Sequence, residues 1–161
     1  MALVALLIAA TVTTGLVAGA FVLYAHTVMP GLGHTDDNTF VTTFASLDRA
    51  IINPWFMAGG FLGAPVLMAA AAVAGWGGPA FWWVTAALAL YLVGAVLTIA
   101  VNVPLNDRLK AAVAAGDTDT TRVRVEFDEP RWVRSNLVRT ATTMAAFVLL
   151  CWALVEAGSA R

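Results

Sequence analysis

Four stretches of the chain, residues 3–24, 54–74, 81–103 and 137–155, are apolar and uncharged apart from Arg139 near the start of the last. Each reaches the roughly 20 residues that a helix needs to cross a hydrocarbon core of about 30 Å. Their apolar residues do not alternate with polar ones, and their Ala, Leu and Gly content suits helices better than barrel strands. The pattern predicts an all-α integral membrane four-helix bundle forming a single domain over residues 1–161.

The connections are unequal. A tight uncharged turn, Gly75-Trp76-Gly77-Gly78-Pro79-Ala80, joins the second and third spans, whereas residues 26–53 and 104–136 are long and polar. With four crossings, both long loops fall on one side and both termini on the other. In the first loop, Asp36, Asp37 or Asn38 can cap a helix carrying Phe40, Phe44, Leu47 and Ile51 on one face. Spacings of four, three and four make this a short amphipathic interfacial helix. Asn53 caps the second span, with Pro54 in its first turn, where a missing N–H is harmless. Pro30 and Gly31 are expected to end the first helix and turn the chain, and the third is expected to end at Asn102-Val103-Pro104-Leu105-Asn106. Asp117–Thr121 reads as a solvated loop tip.

Composition fits this picture: 60% of the 161 residues are hydrophobic and the mean hydropathy is +0.81. A net charge of −1 with no long basic tract gives no argument for nucleic acid. Arg108, Lys110, Arg122, Arg124, Arg131 and Arg134 in the second loop, with Arg49 in the first, place both loops in the cytoplasm by the positive-inside rule. The termini then lie outside, and the plasma membrane is the expected location. The N-terminus lacks the basic residues of a signal-peptide n-region, so its apolar run reads as a retained helix. Cys151 is the only cysteine, which rules out an intrachain CxxC exchange centre. Gly15 with Gly19, and Gly59 with Gly63, form GxxxG pairs that suit packing inside the bundle or a homo-oligomer seam.

The polar side chains collect at one end. Asn102 and Asn106 are four apart, Trp132 and Asn136 are four apart, and Arg139 follows three later, so two polar helical faces can meet. An arginine one turn inside a membrane helix is costly unless paired or snorkelling, which makes Arg139 the strongest functional pointer. The plain alternatives are that Asn102 and Asn136 cross-link helices, that Trp132 anchors at the interface, and that Arg139 meets a lipid phosphate. His26 and His34 are the only histidines. A metal held by them with Asp36 or Asp37 matches no strong ligand motif, and a bis-His multi-haem protein cannot be built from one chain. No acidic residue lies within a span to carry a coupled proton, as a transporter would require.

Taken in order, Val28-Met29-Pro30-Gly31-Leu32, Asp36-Asp37-Asn38-Thr39-Phe40, Ile52-Asn53-Pro54-Trp55-Phe56, Asn102-Val103-Pro104-Leu105-Asn106 and Trp132 with Asn136 and Arg139 resemble the anthrone oxygenase-like membrane family, the domain of unknown function 1772 family. The resemblance implies a small four-helix oxidoreductase, some of whose relatives oxidise polyketide anthrones with molecular oxygen and no organic cofactor. It places Asn102, Asn106, Trp132, Asn136 and Arg139 among the family's polar motif residues. His26 departs from the family's pattern, so a general-base role for it would be particular to this chain.

The expected activity is oxidation of a small hydrophobic aromatic or phenolic substrate by oxygen. Arg139, Asn136 and Asn102 would stabilise an oxyanion, His26 or Asp107 would accept a proton, and Trp132 and Asn106 would bind the substrate. Two alternatives stay open. One is a non-catalytic membrane partner or small-molecule-binding subunit; the other is a metal- or haem-dependent oxidoreductase using His26.

Overall fold

A computed structural model describes residues 1–159. The described residues form six helices: α1 (Ala2–Gly33), α2 (Asp37–Ile51), α3 (Trp55–Ala74), α4 (Phe81–Ala114), α5 (Thr120–Phe127) and α6 (Glu129–Ser159). The expected four-helix membrane bundle is present. Helices α1, α3, α4 and α6 pack as a ring in that order, each contacting its two neighbours, around Leu7, Val17, Met68, Val84, Tyr91 and Leu150. Exposed Trp55 at one end of α3 and exposed Trp76 just beyond the other are about 30 Å apart at 1.5 Å per residue, the spacing of two interfacial aromatic belts.

Small residues set the closeness of the ring. A Cβ on Gly15 of α1 would lie 2.9 Å from the Phe147 ring of α6, and one on Gly94 of α4 would lie 3.1 Å from Thr143 Oγ1. Gly19 and Gly59 have open space where a Cβ would stand. In the first GxxxG pair only Gly15 therefore serves a contact with another helix, and in the second a Cβ on Gly63 would meet only the Ala58 carbonyl of its own helix.

The long polar connections are largely helical, which corrects the expectation that Pro30-Gly31 ends the first helix and that the third stops at residues 102–106. Helix α1 runs through Pro30 to Gly33, and α4 runs through Pro104 to Ala114. The reason is a widened turn ahead of each proline. Over residues 24–28, 55–61 and 98–102 the helix takes a π turn, closed by the amide N–H of Met29 on the Tyr24 carbonyl, of Leu62 on Met57 and of Val103 on Thr98. One extra residue in the turn moves aside the carbonyl that a proline ring would strike, so the helix continues. Pro65 in α3 follows the second of these turns and leaves the Phe61 carbonyl without its helical donor. The Tyr91 hydroxyl of α4 donates to it at 2.8 Å, satisfying a carbonyl that water cannot reach.

The extensions of α1, α4 and α6 meet α2 and α5 in a helical crown with its own apolar core of Met29, Phe40, Phe44, Leu105, Leu109, Phe127 and Trp132. Asp36 caps α2 by accepting the Thr39 amide at 3.0 Å, and Asn53 accepts the Phe56 amide at 2.9 Å to start α3, both as the sequence suggests. The buried face of α2 is rotated from the expected stripe: Phe40, Val41, Phe44, Ala45 and Asp48 point inward, while Leu47 is exposed. The tip around Asp117–Thr121 is also more ordered than expected, since Asp119 caps α5 by accepting the Arg122 amide at 3.0 Å. Asp128 then turns the chain into α6 through a left-handed conformation, φ 52°.

Arg124 of α5 ties the crown together. Its guanidinium donates to Asp37 Oδ1 at 3.0 Å and to Glu129 Oε2 at 3.2 Å, and lies 4.2 Å from the centre of the Phe40 ring. Thr121 Oγ1 donates to the other Asp37 oxygen at 2.7 Å. These bonds, Thr121 first, hold the Asp37 carboxyl below its ordinary value of 3.8. A lowered folded-state pKa stabilises fully above the unfolded value and is lost as pH falls through the folded one. The Asp37-dependent part of amide protection in α2 and α5, read as wild type minus Asp37→Asn, should therefore hold from neutrality towards pH 3.8, decline below it, and vanish once the pH has fallen through the lowered folded-state value.

Tyr91→Phe should destabilise the bundle by about 1–2 kcal/mol, because it strands a buried carbonyl. Adding Pro65→Ala, which returns a helical N–H to Phe61, should recover much of the loss in a denaturation titration of the reconstituted protein.

Candidate functional site

A cavity of about 430 Å³ lies where the bundle meets the crown, within the size range usual for small-molecule sites. Phe21 and Tyr24 of α1, Phe61 of α3, Asp48 of α2, Thr98, Asn106 and Lys110 of α4, and Trp132 and Arg139 of α6 all face it. All three π turns contribute to its wall. The walls are mainly apolar, and the polar groups come from helical stripes: Thr98, Asn102, Asn106 and Lys110 recur every four residues on α4, and Trp132, Asn136 and Arg139 follow the same face of α6.

Arg139 is 6% exposed. Its Nε donates to Asn136 Oδ1 at 2.9 Å and its Nη1 to Thr98 Oγ1 at 3.2 Å, while Asn136 Nδ2 donates to the Phe21 carbonyl at 3.4 Å. The guanidinium carbon stands 4.2 Å from the Phe21 ring centre and 5.3 Å from that of Trp132. Two of its five N–H donors thus have protein acceptors, and the rings supply cation–π attraction. Among the described residues no carboxylate forms an ion pair with it. A cation left without a counter-charge in an apolar wall favours whatever negative oxygen enters the cavity.

A second polar chain runs from Trp132 towards the crown. Trp132 Nε1 donates to Asn106 Oδ1 at 2.7 Å, and Asn106 Nδ2 donates to Asp48 Oδ1 at 2.6 Å. Lys110 Nζ stands 2.7 Å from Asp48 Oδ2 and 3.0 Å from Asp107 Oδ1. Asn102 braces the back of this chain, donating to the Trp132 carbonyl at 3.3 Å and accepting from Ser135 Oγ at 2.8 Å.

The structure therefore brings Arg139, Trp132 and Asn106 to the cavity surface. It places Asn136 and Asn102 behind them as braces. His26 is exposed on α1 and does not line the cavity; its Nδ1 is 2.7 Å from Thr27 Oγ1. Among the described residues no three His, Cys, Asp or Glu side chains stand together as a metal-binding group, so His26, His34, Asp36 and Asp37 do not converge.

Four polar cavity residues were missed by sequence reasoning: Tyr24, Asp48, Thr98 and Lys110. Asp48 carried a signal, because it follows Phe40 and Phe44 at intervals of four and so must share their buried face. Thr98 and Lys110 extend the Asn102-Asn106 spacing by one turn in each direction. Tyr24 carried no such signal.

A family model described as anthrone oxygenase matches residues 53–149. That stretch holds Thr98, Asn106, Lys110, Trp132 and Arg139, while Phe21, Tyr24 and Asp48 precede it. No curated protein and no solved structure matches the chain.

The ion pair between Asp48 and Lys110 should be needed to hold α2 on α4. Asp48→Ala removes the acceptor of the buried Asn106 amide and leaves the Lys110 ammonium with Asp107 alone, and should cost about 1–3 kcal/mol, the range for leaving a buried polar group unsatisfied. Combining it with Lys110→Met should restore part of that in a double-mutant cycle measured by denaturation.

Proposed function

The chain belongs to the anthrone oxygenase family, and from that membership we propose that it oxidises an aromatic, anthrone-like or phenolic substrate with molecular oxygen in the cavity beside Arg139. The observation that carries the proposal is the buried Arg139 guanidinium, held by Asn136 and Thr98 and free of any carboxylate among the described residues.

An anthrone C–H lies between two aromatic rings and opposite a carbonyl, so loss of its proton places negative charge on the carbonyl oxygen. Arg139 stabilises that oxyanion, and it does so without solvent reorganisation because its braces fix it beforehand. Trp132 and Phe21 offer faces to the planar rings. Asp48, the buried carboxylate on the cavity wall, accepts the proton in this proposal, in preference to the exposed His26. The carbanion gives one electron to oxygen, the resulting pair combines to a peroxide at the same carbon, and the O–O bond breaks as a second proton leaves carbon. One oxygen atom becomes the new carbonyl, and the other leaves as water after taking up the protons. By the charge bias of the loops, we place the site at the cytoplasmic face of the plasma membrane.

Oxygen uptake by the reconstituted protein across a panel of anthrones tests this. Arg139→Ala should lower turnover by about 10²–10³ while the bundle still folds, the usual effect of removing an oxyanion donor. Arg139→Lys should recover part of it. Full activity in folded Arg139→Ala, or no oxygen uptake with any anthrone, would overturn the assignment.

A further inference from the structure

The cavity has two different borders. Asp107 and Lys110 edge it towards the crown, whereas Leu62 of α3 and Ile99 of α4 edge it towards the outer surface of the bundle. These two side chains are 56% and 64% exposed. They sit on helices whose outward faces meet lipid. Leu62 lies at the end of one π turn and Ile99 within another, and the Tyr91 hydroxyl bond to Phe61 is the one polar tie between α3 and α4 among the described side chains. Trp55, at the interfacial end of α3, is seven residues before Leu62, so this border lies about 10 Å inside the headgroup boundary. An opening there faces hydrocarbon.

We infer that the cavity is loaded sideways from the bilayer, between Leu62 and Ile99, and that its ligands are membrane-dissolved, flat hydrophobic molecules bearing one weakly acidic hydroxyl. This rests on the reading that the cavity beside Arg139 is the substrate site. The chemistry of the two ends selects such molecules. The outer border offers only apolar contact, so a molecule already partitioned into lipid enters without crossing water. At the inner end Arg139 stands without a carboxylate partner among the described residues and meets the hydroxyl oxygen as its proton is lost. A permanently charged molecule would have to leave water to reach the lateral opening, which disfavours it.

The test uses the full chain in phosphatidylcholine vesicles and 2-hydroxyanthraquinone, a flat phenol that already carries both carbonyls and is not a substrate for the proposed step. Binding is followed in stopped flow by the phenolate absorption band, with probe preloaded in the lipid. Leu62→Trp with Ile99→Trp should slow loading by about tenfold or more and change the Kd far less. Val66→Trp with Val96→Trp, on the same helices and exposed to lipid but outside the cavity wall, should leave the rate unchanged. Should the mouth variant fail to fold, Ile99→Cys in a Cys151→Ser background should react with pyrene maleimide dissolved in the vesicles, and the probe should protect it.

An unchanged loading rate in the mouth variant, equal slowing in the control pair, faster loading of aqueous anthraquinone-2-sulfonate than of the lipid-borne phenol, or no binding at all would overturn the inference. The two readings fail separately. Probe loading through the mouth without any anthrone oxidation removes the oxygenase and leaves a binding protein; anthrone oxidation unaffected by the mouth substitutions removes the lateral route and leaves the oxygenase.

Discussion

A guanidinium taken out of water must receive acceptors, polarisable faces or a counter-charge, and Arg139 receives the first two from three helices and, among the described residues, no ion-paired carboxylate. Much of the site follows from that requirement. Asn136 must sit one turn before it on α6 to accept from Nε, and Thr98 must face it from α4. Phe21 must bring a ring from α1, and its carbonyl fixes the Asn136 amide so that the amide oxygen points at the arginine. The close contact of α4 with α6 at Gly94 makes this possible, since a side chain there would push against Thr143 and approach the Arg139 Cβ at 3.5 Å. The arginine is thus positioned by packing, and its charge stays available to whatever occupies the cavity.

The second constraint is the presence of prolines within helices that must keep running. Each is accommodated by a widened turn, and a widened turn changes the helical phase by one residue, so polar positions beyond it rotate relative to those before it. On α4 the turn over residues 98–102 sits directly between the lipid-facing stretch and the stripe of Asn106 and Lys110. On α3 the turn ends beside Leu62, and on α1 it begins at Tyr24. The departures from regular helix therefore coincide with the cavity wall, and the helices beyond them build the crown that covers it.

Much of this was legible in the sequence, because hydropathy over about 20 residues is a strong signal in a solvent that tolerates few alternatives. The four spans, the caps at Asp36 and Asn53 and the meeting of the α4 and α6 polar faces depend on local spacing alone. Pro30 and Pro104 misled for a physical reason: proline disfavours a regular turn, and a sequence does not state whether the helix breaks or widens. His26 looked important for its residue type, yet its position on α1 turns it away from the cavity. Asp48 was hidden by the choice of stripe. Counting the exposed Leu47 in the apolar stripe of α2 rotated that helix and passed over its one inward carboxylate.

The placement of the two charges gives the site a division of labour. Arg139 and its acceptors, Asn136 and Thr98, lie within residues 53–149, the stretch that matches the family, and all three belong to α4 and α6, which pack tightly through the membrane. Asp48 lies outside that stretch, on a short helix held over the cavity by Lys110, Asn106 and the crown core. The proposed binding of an anionic oxygen therefore draws on the rigid bundle, whereas the carboxylate reaches the cavity only while α2 is docked. An element docked through two ion pairs, Asp48 with Lys110 and Asp37 with Arg124, the Asn106 amide, the Thr121 hydroxyl and a few aromatic side chains has a lower local stability than spans locked by a membrane core. In the proposed reaction the proton-accepting role of Asp48 thus depends on the crown more than the anion-binding role of Arg139 does, and changes in α2 and α5 should alter the first without removing the second.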